Sequence, residues 1–402
     1  MEAPQSTSGG KRVLIVSASA GTGHVRAGEA LAKAFRMDPS VEAVHHLDAL
    51  DYTNKLFRDF YSKLYIQLVK SAPDVLGWVY RVSDEPWKTD AARVQLERLN
   101  TRRLVRFIRA FNPHITVCTH FMPAGIMSHL IQTERLEAQL SIVVTDLDVH
   151  AMWLSRTFHR YFVAIEETKI HLEALGIPGE RVTVSGIPTD PAFSEPADPA
   201  ALKRAWGLDP RCPTLLFSAG AYGVSPAELI VGRLRNLKHR AQTVVVCGKS
   251  ESARQRVEAL VGPDADAFRV LGFTDEMPDL MRMADLFIGK PGGLTTAEAL
   301  ACGVPMVILS PIPGQEERNS DHLLEEGAAV KCNELTTIAY KIDRLLGDPG
   351  RLEGMRGSAR ALGRPHAARD VVRTLIEDRL APMHMKVSKG NATAMESLER
   401  ER

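Results

Sequence analysis

Short apolar runs alternate with amphipathic stretches along most of this chain. Val13–Ser17, Val41–Leu47, Ile115–Cys118, Ser141–Thr145, Phe162–Ile165 and Val182–Val184 are apolar runs of strand length. Between them, helices are predicted over Val25–Phe35 and Asp90–Phe111. After residue 199 the alternation restarts, and strands are predicted at Thr214–Ser218, Thr243–Cys247, Phe268–Leu271, Leu286–Ile288 and Met306–Leu309. Repeated β-α alternation predicts α/β architecture with parallel, doubly wound sheets. Two such series predict two Rossmann-like halves with a ligand in the cleft between them, at the carboxyl ends of the strands.

Pro188–Pro199 holds four prolines and little apolar content, so it reads as a linker. The expected organisation is a disordered N-terminus over 1–10, a first domain over 11–190, a linker over 191–199, a second domain over 200–380 and a disordered tail over 381–402. A length of 402 residues exceeds one ordinary core, which supports two domains.

Composition narrows the class. The chain is 45% hydrophobic and 25% charged with a net charge of +1, which argues against a nucleic-acid partner, since that would ask for a basic excess. Cys118, Cys212, Cys247, Cys302 and Cys332 lack metal-ligand spacing and read as buried thiols in a reducing compartment. No apolar run reaches the ~18 residues that a membrane-spanning helix needs. The expectation is a cytoplasmic enzyme that touches a membrane peripherally.

The chemistry concentrates after strand ends. Leu286–Ile288 runs into Lys290-Pro291-Gly292-Gly293, and a helix then starts at Leu294-Thr295 and carries Glu298 one turn in. A glycine turn feeding a helix exposes backbone N–H groups and the positive end of the helix dipole, which together hold phosphate. Glu298 is placed to accept hydrogen bonds from a ribose, or is a solvated helix residue. Gln315, Glu316 and Asn319, with Gly314, offer amides and a carboxylate to sugar hydroxyls, or cap the next helix. Gly220, after the strand at Thr214–Ser218, lines a diphosphate or forms an ordinary turn.

Near the N-terminus, Gly21-Thr22-Gly23-His24 joins the first strand to the first helix. As a dinucleotide fingerprint, with Asp48 as the ribose acid, it is imperfect because the third glycine is misplaced at Gly28. As an acceptor loop, Gly21 and Gly23 allow close approach and present His24 as a general base. Asp146 either orients His24 or assists deprotonation, as a second catalytic residue, or it closes an Asx-type turn. Asp146 with Asp148 as a metal pair is the weaker reading, so no metal is expected.

The Gly-Thr-Gly-His loop, Val144-Thr145-Asp146, Lys290-Pro291-Gly292-Gly293-Leu294-Thr295 and Gly314-Gln315-Glu316 occur in one order. That set, spanning about Val13 to Gly347, resembles the plant monogalactosyldiacylglycerol synthases and bacterial diacylglycerol glucosyltransferases. These are relatives of the peptidoglycan transferase that adds N-acetylglucosamine to a lipid-linked precursor. The resemblance implies a GT-B fold of two Rossmann-like domains facing a cleft, an inverting mechanism without a metal or other cofactor, and His24 as base. It further implies UDP-glucose or UDP-galactose as donor, backbone contacts to uracil at Gly272-Phe273, and a lipid hydroxyl, that of diacylglycerol, as acceptor. The Thr22 position is a small departure, since a third glycine is common there. A UDP-sugar epimerase or hydrolase on the same scaffold, or a non-catalytic nucleotide-sugar-binding protein, is the alternative.

Residues 52 to 87 hold Tyr52, Phe57, Phe60, Tyr61, Tyr65, Trp78, Tyr80 and Trp87, interleaved with Lys55, Arg58, Lys63, Lys70, Arg81 and Lys88. Amphipathic rings suit a membrane interface and basic side chains attract anionic lipid. Replacing Tyr61, Tyr65, Trp78 and Trp87 by serine is expected to weaken binding to vesicles containing anionic lipid and to leave UDP binding intact. Vesicle sedimentation checks this, and unchanged sedimentation of the folded variant would make the segment ordinary core.

Overall fold

The computed structural model describes residues 9–19, 21–53, 84, 102–133, 135–221, 225–262 and 266–385. The expected membrane contacts Tyr61, Tyr65, Trp78 and Trp87 lie outside the described residues. Tyr52, at the start of that segment, packs against Phe107 with ring centroids 5.7 Å apart. Among the described residues no helix is long and apolar enough to cross a membrane.

The described residues divide into two compact units, one formed by those up to Asp190 together with those from Ala367 onward, the other by Pro191–His366. The first unit runs β1 (Lys11–Ser17), α1 (Thr22–Arg36), β2 (Val41–Asp48), α2 (Arg102–Phe111), β3 (Ile115–Cys118), α3 (Phe121–Gln132), β4 (Gln139–Val143), β5 (Thr157–Phe158), β6 (Arg160–Val163), α4 (Glu166–Ala174) and β7 (Val182–Val184). Six of these strands form a parallel sheet in the order β2-β1-β3-β4-β6-β7. Leu14, Ile15 and Val16 are 0% exposed, which is why β1 reads as an unbroken apolar run: helices cover both faces of the sheet.

The second unit runs α5 (Pro199–Ala205), β8 (Thr214–Ser218), α6 (Ala227–Leu234), β9 (Gln242–Val246), α7 (Glu251–Val261), β10 (Phe268–Leu271), α8 (Met277–Met283), β11 (Leu286–Gly289), α9 (Gly293–Ala301), β12 (Met306–Leu309), α10 (Gln315–Glu325), β13 (Ala329–Cys332), α11 (Ile338–Leu346) and α12 (Pro349–Leu362). Its strands are parallel in the order β10-β9-β8-β11-β12-β13, the arrangement of a Rossmann sheet. Two Rossmann-like units in one chain constitute a GT-B fold.

Three boundaries differ from expectation. The stretch 191–199 is built into the second unit: Pro191–Ser194 forms a 3-10 turn, Phe193 is buried in that unit's core, and Asp198 caps α5 through the Ala200 N–H. The second unit ends at His366 rather than 380, because α13 (Ala367–Glu377) returns to the first unit. Val371, Val372 and Leu375 of α13 join a core with Ile15, Leu31 and Phe35, each burial contributing about 1.5–3 kcal/mol. The start of the expected disordered tail is ordered, since β14 (Met383–His384) pairs antiparallel with β5.

A half-buried ion pair fastens this return. Arg160 Nε donates to Asp378 Oδ2 at 2.8 Å, and its Nη1 reaches Glu180 O and Thr183 Oγ1. Burial opposes the charge on Asp378, but Arg160 and the Leu380 N–H outweigh it and hold its pKa below the ordinary carboxylate value. The pair therefore stabilises the fold above the usual carboxylate range and loses its contribution as pH falls through the depressed pKa. Arg160→Met is expected to destabilise the first unit by about 3 kcal/mol or more, because it strands a buried carboxylate. Urea unfolding monitored in that unit checks this, and a cost below ~1 kcal/mol would mean the pair is solvated.

Candidate functional site

In each sheet one strand is left on opposite sides by the chains that follow it, and the loops there diverge to open a crevice. In the first unit this switch point lies between β1 and β3, and its loops carry Ala18, Ser19 and Gly21, and Thr119-His120. His24 sits in the first turn of α1 beside both. Its Nδ1 lies 2.6 Å from Thr145 Oγ1 and 3.1 Å from Thr119 O. A carbonyl only accepts, so Nδ1 carries the proton and Nε2 is the unprotonated nitrogen. The ring meets His120 edge-on with centroids 4.7 Å apart, and Trp153 stands 6.3 Å away. Burial lowers the His24 pKa to about 4, opposed by the hydrogen bond to Thr119, so the imidazole is neutral at pH 7.

The glycine loop is tied down by Asp48, whose Oδ1 accepts from the N–H groups of Ser19 (3.2 Å) and Leu50 (3.0 Å). Asp48 thus fastens the loop, and that use of its carboxylate explains it without a dinucleotide. Gly21 is the N-cap of α1 and Gly23 lies in its first turn, so both expected acceptor-loop glycines are beside His24. Asp146 is buried directly after Thr145. The groups the structure sets on His24 Nδ1 are Thr145 and Thr119, and sequence reasoning did not single out Thr119, His120 or Trp153. One signal was available: Thr119-His120 follows the apolar strand Ile115–Cys118 directly, at its carboxyl end.

In the second unit the switch point lies between β8 and β11, and there the structure places Gly220 and the Pro291-Gly292-Gly293 turn. Gly220 is exposed with φ +82°, a conformation that favours glycine. Its loop is clamped by the next one: Lys249 N–H donates to Ala221 O at 2.9 Å, and a Cβ on Gly248 would fall 2.3 Å from Gly220 O. Phe273, after β10, is 48% exposed, with Lys249 Nζ 5.3 Å from its ring centre.

Gly292 is the N-cap of α9 and offers no side chain to the helix start. The first intrahelical bond runs from Thr296 N–H to Gly292 O, so the N–H groups of Gly293, Leu294 and Thr295 precede the ladder and point along the dipole. Glu298 follows one turn later and is half-buried. Asn319 is fully buried, and its Nδ2 donates to Pro291 O at 2.9 Å. Asn319 therefore braces the glycine turn from beneath. Gln315 opens α10. Glu316 accepts from Ile312 N–H at 2.7 Å with its other oxygen toward Gly292; burial raises its pKa, opposed by Lys290 and that N–H. Among the described residues no cluster of His, Cys, Asp and Glu is arranged to hold a metal ion.

Two Rossmann-like units, each with a glycine-bearing loop at its switch point, define the GT-B class of folds. The profile of the monogalactosyldiacylglycerol (MGDG) synthases matches residues 24–189, and that of the glycosyl transferases group 1 matches residues 203–362. The processive diacylglycerol beta-glucosyltransferase of Bacillus mycoides (strain KBAB4) is 28% identical over 377 residues, covering 94% of this chain and 96% of the relative. That of Bacillus pumilus (strain SAFR-032) is 28% identical over 372 residues, covering 91% and 95%. Among solved structures, UDP-GlcNAc 2-epimerase from Neisseria meningitidis superimposes with TM-score 0.59 at 14% identity, covering 91% of this chain and 100% of that one. MurG from Acinetobacter baumannii superimposes with TM-score 0.57 at 15% identity, covering 92% and 100%. The first part of the chain is thus similar to the MGDG synthases and the second to the glycosyl transferases group 1, and nearly the whole chain is similar to diacylglycerol glucosyltransferases.

Two outcomes are expected. His24→Ala should lower kcat by about 10²–10⁴ with little change in UDP affinity, and the acid limb of wild-type kcat/KM should fall near pH 4, not 6.5, because a histidine works as a base in its neutral form. A pH profile of both proteins checks this. Asn319→Leu should weaken UDP binding about 5- to 100-fold by stranding the Pro291 carbonyl, as calorimetric titration would show.

Proposed function

We propose that this protein moves glucose or galactose from a UDP-sugar to a lipid hydroxyl, that of diacylglycerol, and forms a β-glycolipid. It is an inverting GT-B glycosyltransferase that uses a UDP-sugar. The curated relatives are named as diacylglycerol beta-glucosyltransferases, which favours diacylglycerol as acceptor and glucose as the transferred sugar. The observation that carries the reading is the locked Nδ1–H tautomer of His24, which leaves Nε2 as proton acceptor.

The acceptor oxygen attacks the anomeric carbon as the bond to the UDP oxygen breaks. The acceptor proton passes to His24 Nε2, and the electron pair leaves with UDP. Gly293, Leu294 and Thr295 N–H groups stabilise the diphosphate charge as it develops, because they are oriented before the reaction and need no reorganisation. Gly220 gives the diphosphate close backbone approach, Phe273 packs beside uracil, and Glu298 accepts from the ribose. Gln315 and Glu316 contact the sugar hydroxyls. One displacement inverts an α-linked donor to a β-glycoside. Asp146, beside Thr145, supports the base loop. The enzyme acts at a membrane surface carrying anionic lipid, as a peripheral protein.

The test is product analysis of purified protein with UDP-glucose and UDP-galactose, each with diacylglycerol or ceramide vesicles and without lipid. The expected product is a β-hexosyl diacylglycerol, identified by mass and NMR. Epimerised UDP-sugar or free hexose formed without lipid, and no glycolipid, would overturn the proposal.

A further inference from the structure

Behind the base, the start of α1 is held by a set of buried hydroxyl groups that end on main chain. Thr119 Oγ1 donates to the His24 carbonyl at 2.9 Å. Ser17 Oγ lies 2.7 Å from Thr119 Oγ1, 2.8 Å from His46 Nε2 and 3.2 Å from the same carbonyl. Ser17 and Thr119 are 0% exposed, so water does not take part in these contacts. Thr119 therefore grips His24 twice, with its hydroxyl on the carbonyl and its own carbonyl on Nδ1.

Proton counting gives the set a direction. The three short contacts need three protons, but Ser17 and Thr119 supply one hydroxyl proton each. The terminal carbonyl supplies none. The third proton must come from His46 Nε2. The order is then His46 N–H to Ser17, Ser17 O–H to Thr119, and Thr119 O–H to the His24 carbonyl. Bonds aligned in this way polarise one another.

A second observation points to the same set. Gly28 lies inside α1, where a glycine costs helix stability. A Cβ there would fall 2.4 Å from His46 Nε2 and 2.5 Å from Ser17 Oγ. The glycine is the space through which the His46 ring reaches Ser17.

We infer that His46, Ser17 and Thr119 form a one-way hydrogen-bond chain that fixes the position of His24, with His46 as a positioning residue for the base. This rests on the reading of His24 as the base. Without the chain, the His24 carbonyl loses the Thr119 and Ser17 hydroxyls, and Nε2 loses its fixed aim. Misplacement by about 1 Å is enough to slow a proton transfer about 10²-fold.

The test combines nitrogen NMR with kinetics on the full chain. Above the His46 pKa, ¹⁵N shifts should show wild-type His46 as the Nε2–H tautomer and His24 as the Nδ1–H tautomer. His46→Leu and Gly28→Ala should each lower kcat about 10- to 100-fold with KM for the UDP-sugar near wild type. His46→Gln, which keeps an N–H donor, should restore most of the turnover. On a His24→Ala background, His46→Leu should cost nothing further. A neutral His46 with unprotonated Nε2 overturns the chain, even where variants fold poorly, because it is read in the wild type. Wild-type kcat in folded His46→Leu and Gly28→Ala also overturns it. If His24→Ala itself keeps full turnover, the base reading has failed, while the tautomer measurement still decides whether the chain exists.

Discussion

A parallel strand cannot be joined to its neighbour by a tight turn; the chain must cross over, usually on a helix, and come back to the same edge. That constraint governs this protein. It gathers every strand-to-helix loop of a sheet along one edge, and where the strand order reverses beside β1 and β8 it leaves room between loops. His24 opens α1, Thr119 and Thr145 come from two loops of the first sheet, and Gly220 and Gly292 from two loops of the second. None of these groups needs to be near another in sequence.

The loops hold their shape through polar groups that are buried and bonded. Asp48 ties the first glycine loop, Ser17 and Thr119 hold the start of α1, and Asn319 holds the turn before α9. A buried hydroxyl or amide left without a partner costs about 1–3 kcal/mol, so each contact also selects the conformation that satisfies it. In both units the rigid part lies beneath the exposed backbone N–H groups or the imidazole, not at them. Preorganisation of this kind is what a transferase needs at the point where charge develops.

The return of α13 to the first unit follows from area and charge together. Its apolar face covers residues of β1 and α1 that would otherwise meet water, and Asp378 sits where Arg160 is already committed to Glu180 and Thr183. An amphipathic helix carries no label for which core it will join. Only the complementary surface decides.

Much was legible in the residue order. Uninterrupted apolar runs specified parallel strands because both faces of each sheet are covered, and glycine turns before helices marked the places where backbone N–H groups are exposed. Gly21, Gly23 and His24, and Pro291 through Glu298, were visible for that reason. Strand ends were less so: the apolar run at Ser141–Thr145 continues past the ladder, which closes at Val143, and this frees Thr145 to meet His24. The clamp of Thr119 on His24 joins residues 95 apart, and that of Asn319 on Pro291 joins residues 28 apart. Such pairs come from neighbouring loops of a parallel sheet, and local spacing carries no trace of which loops become neighbours. The sequence by itself determined the element types and the residues able to do the chemistry; the tertiary structure decided their partners, because hydrogen bonds between loops depend on strand order.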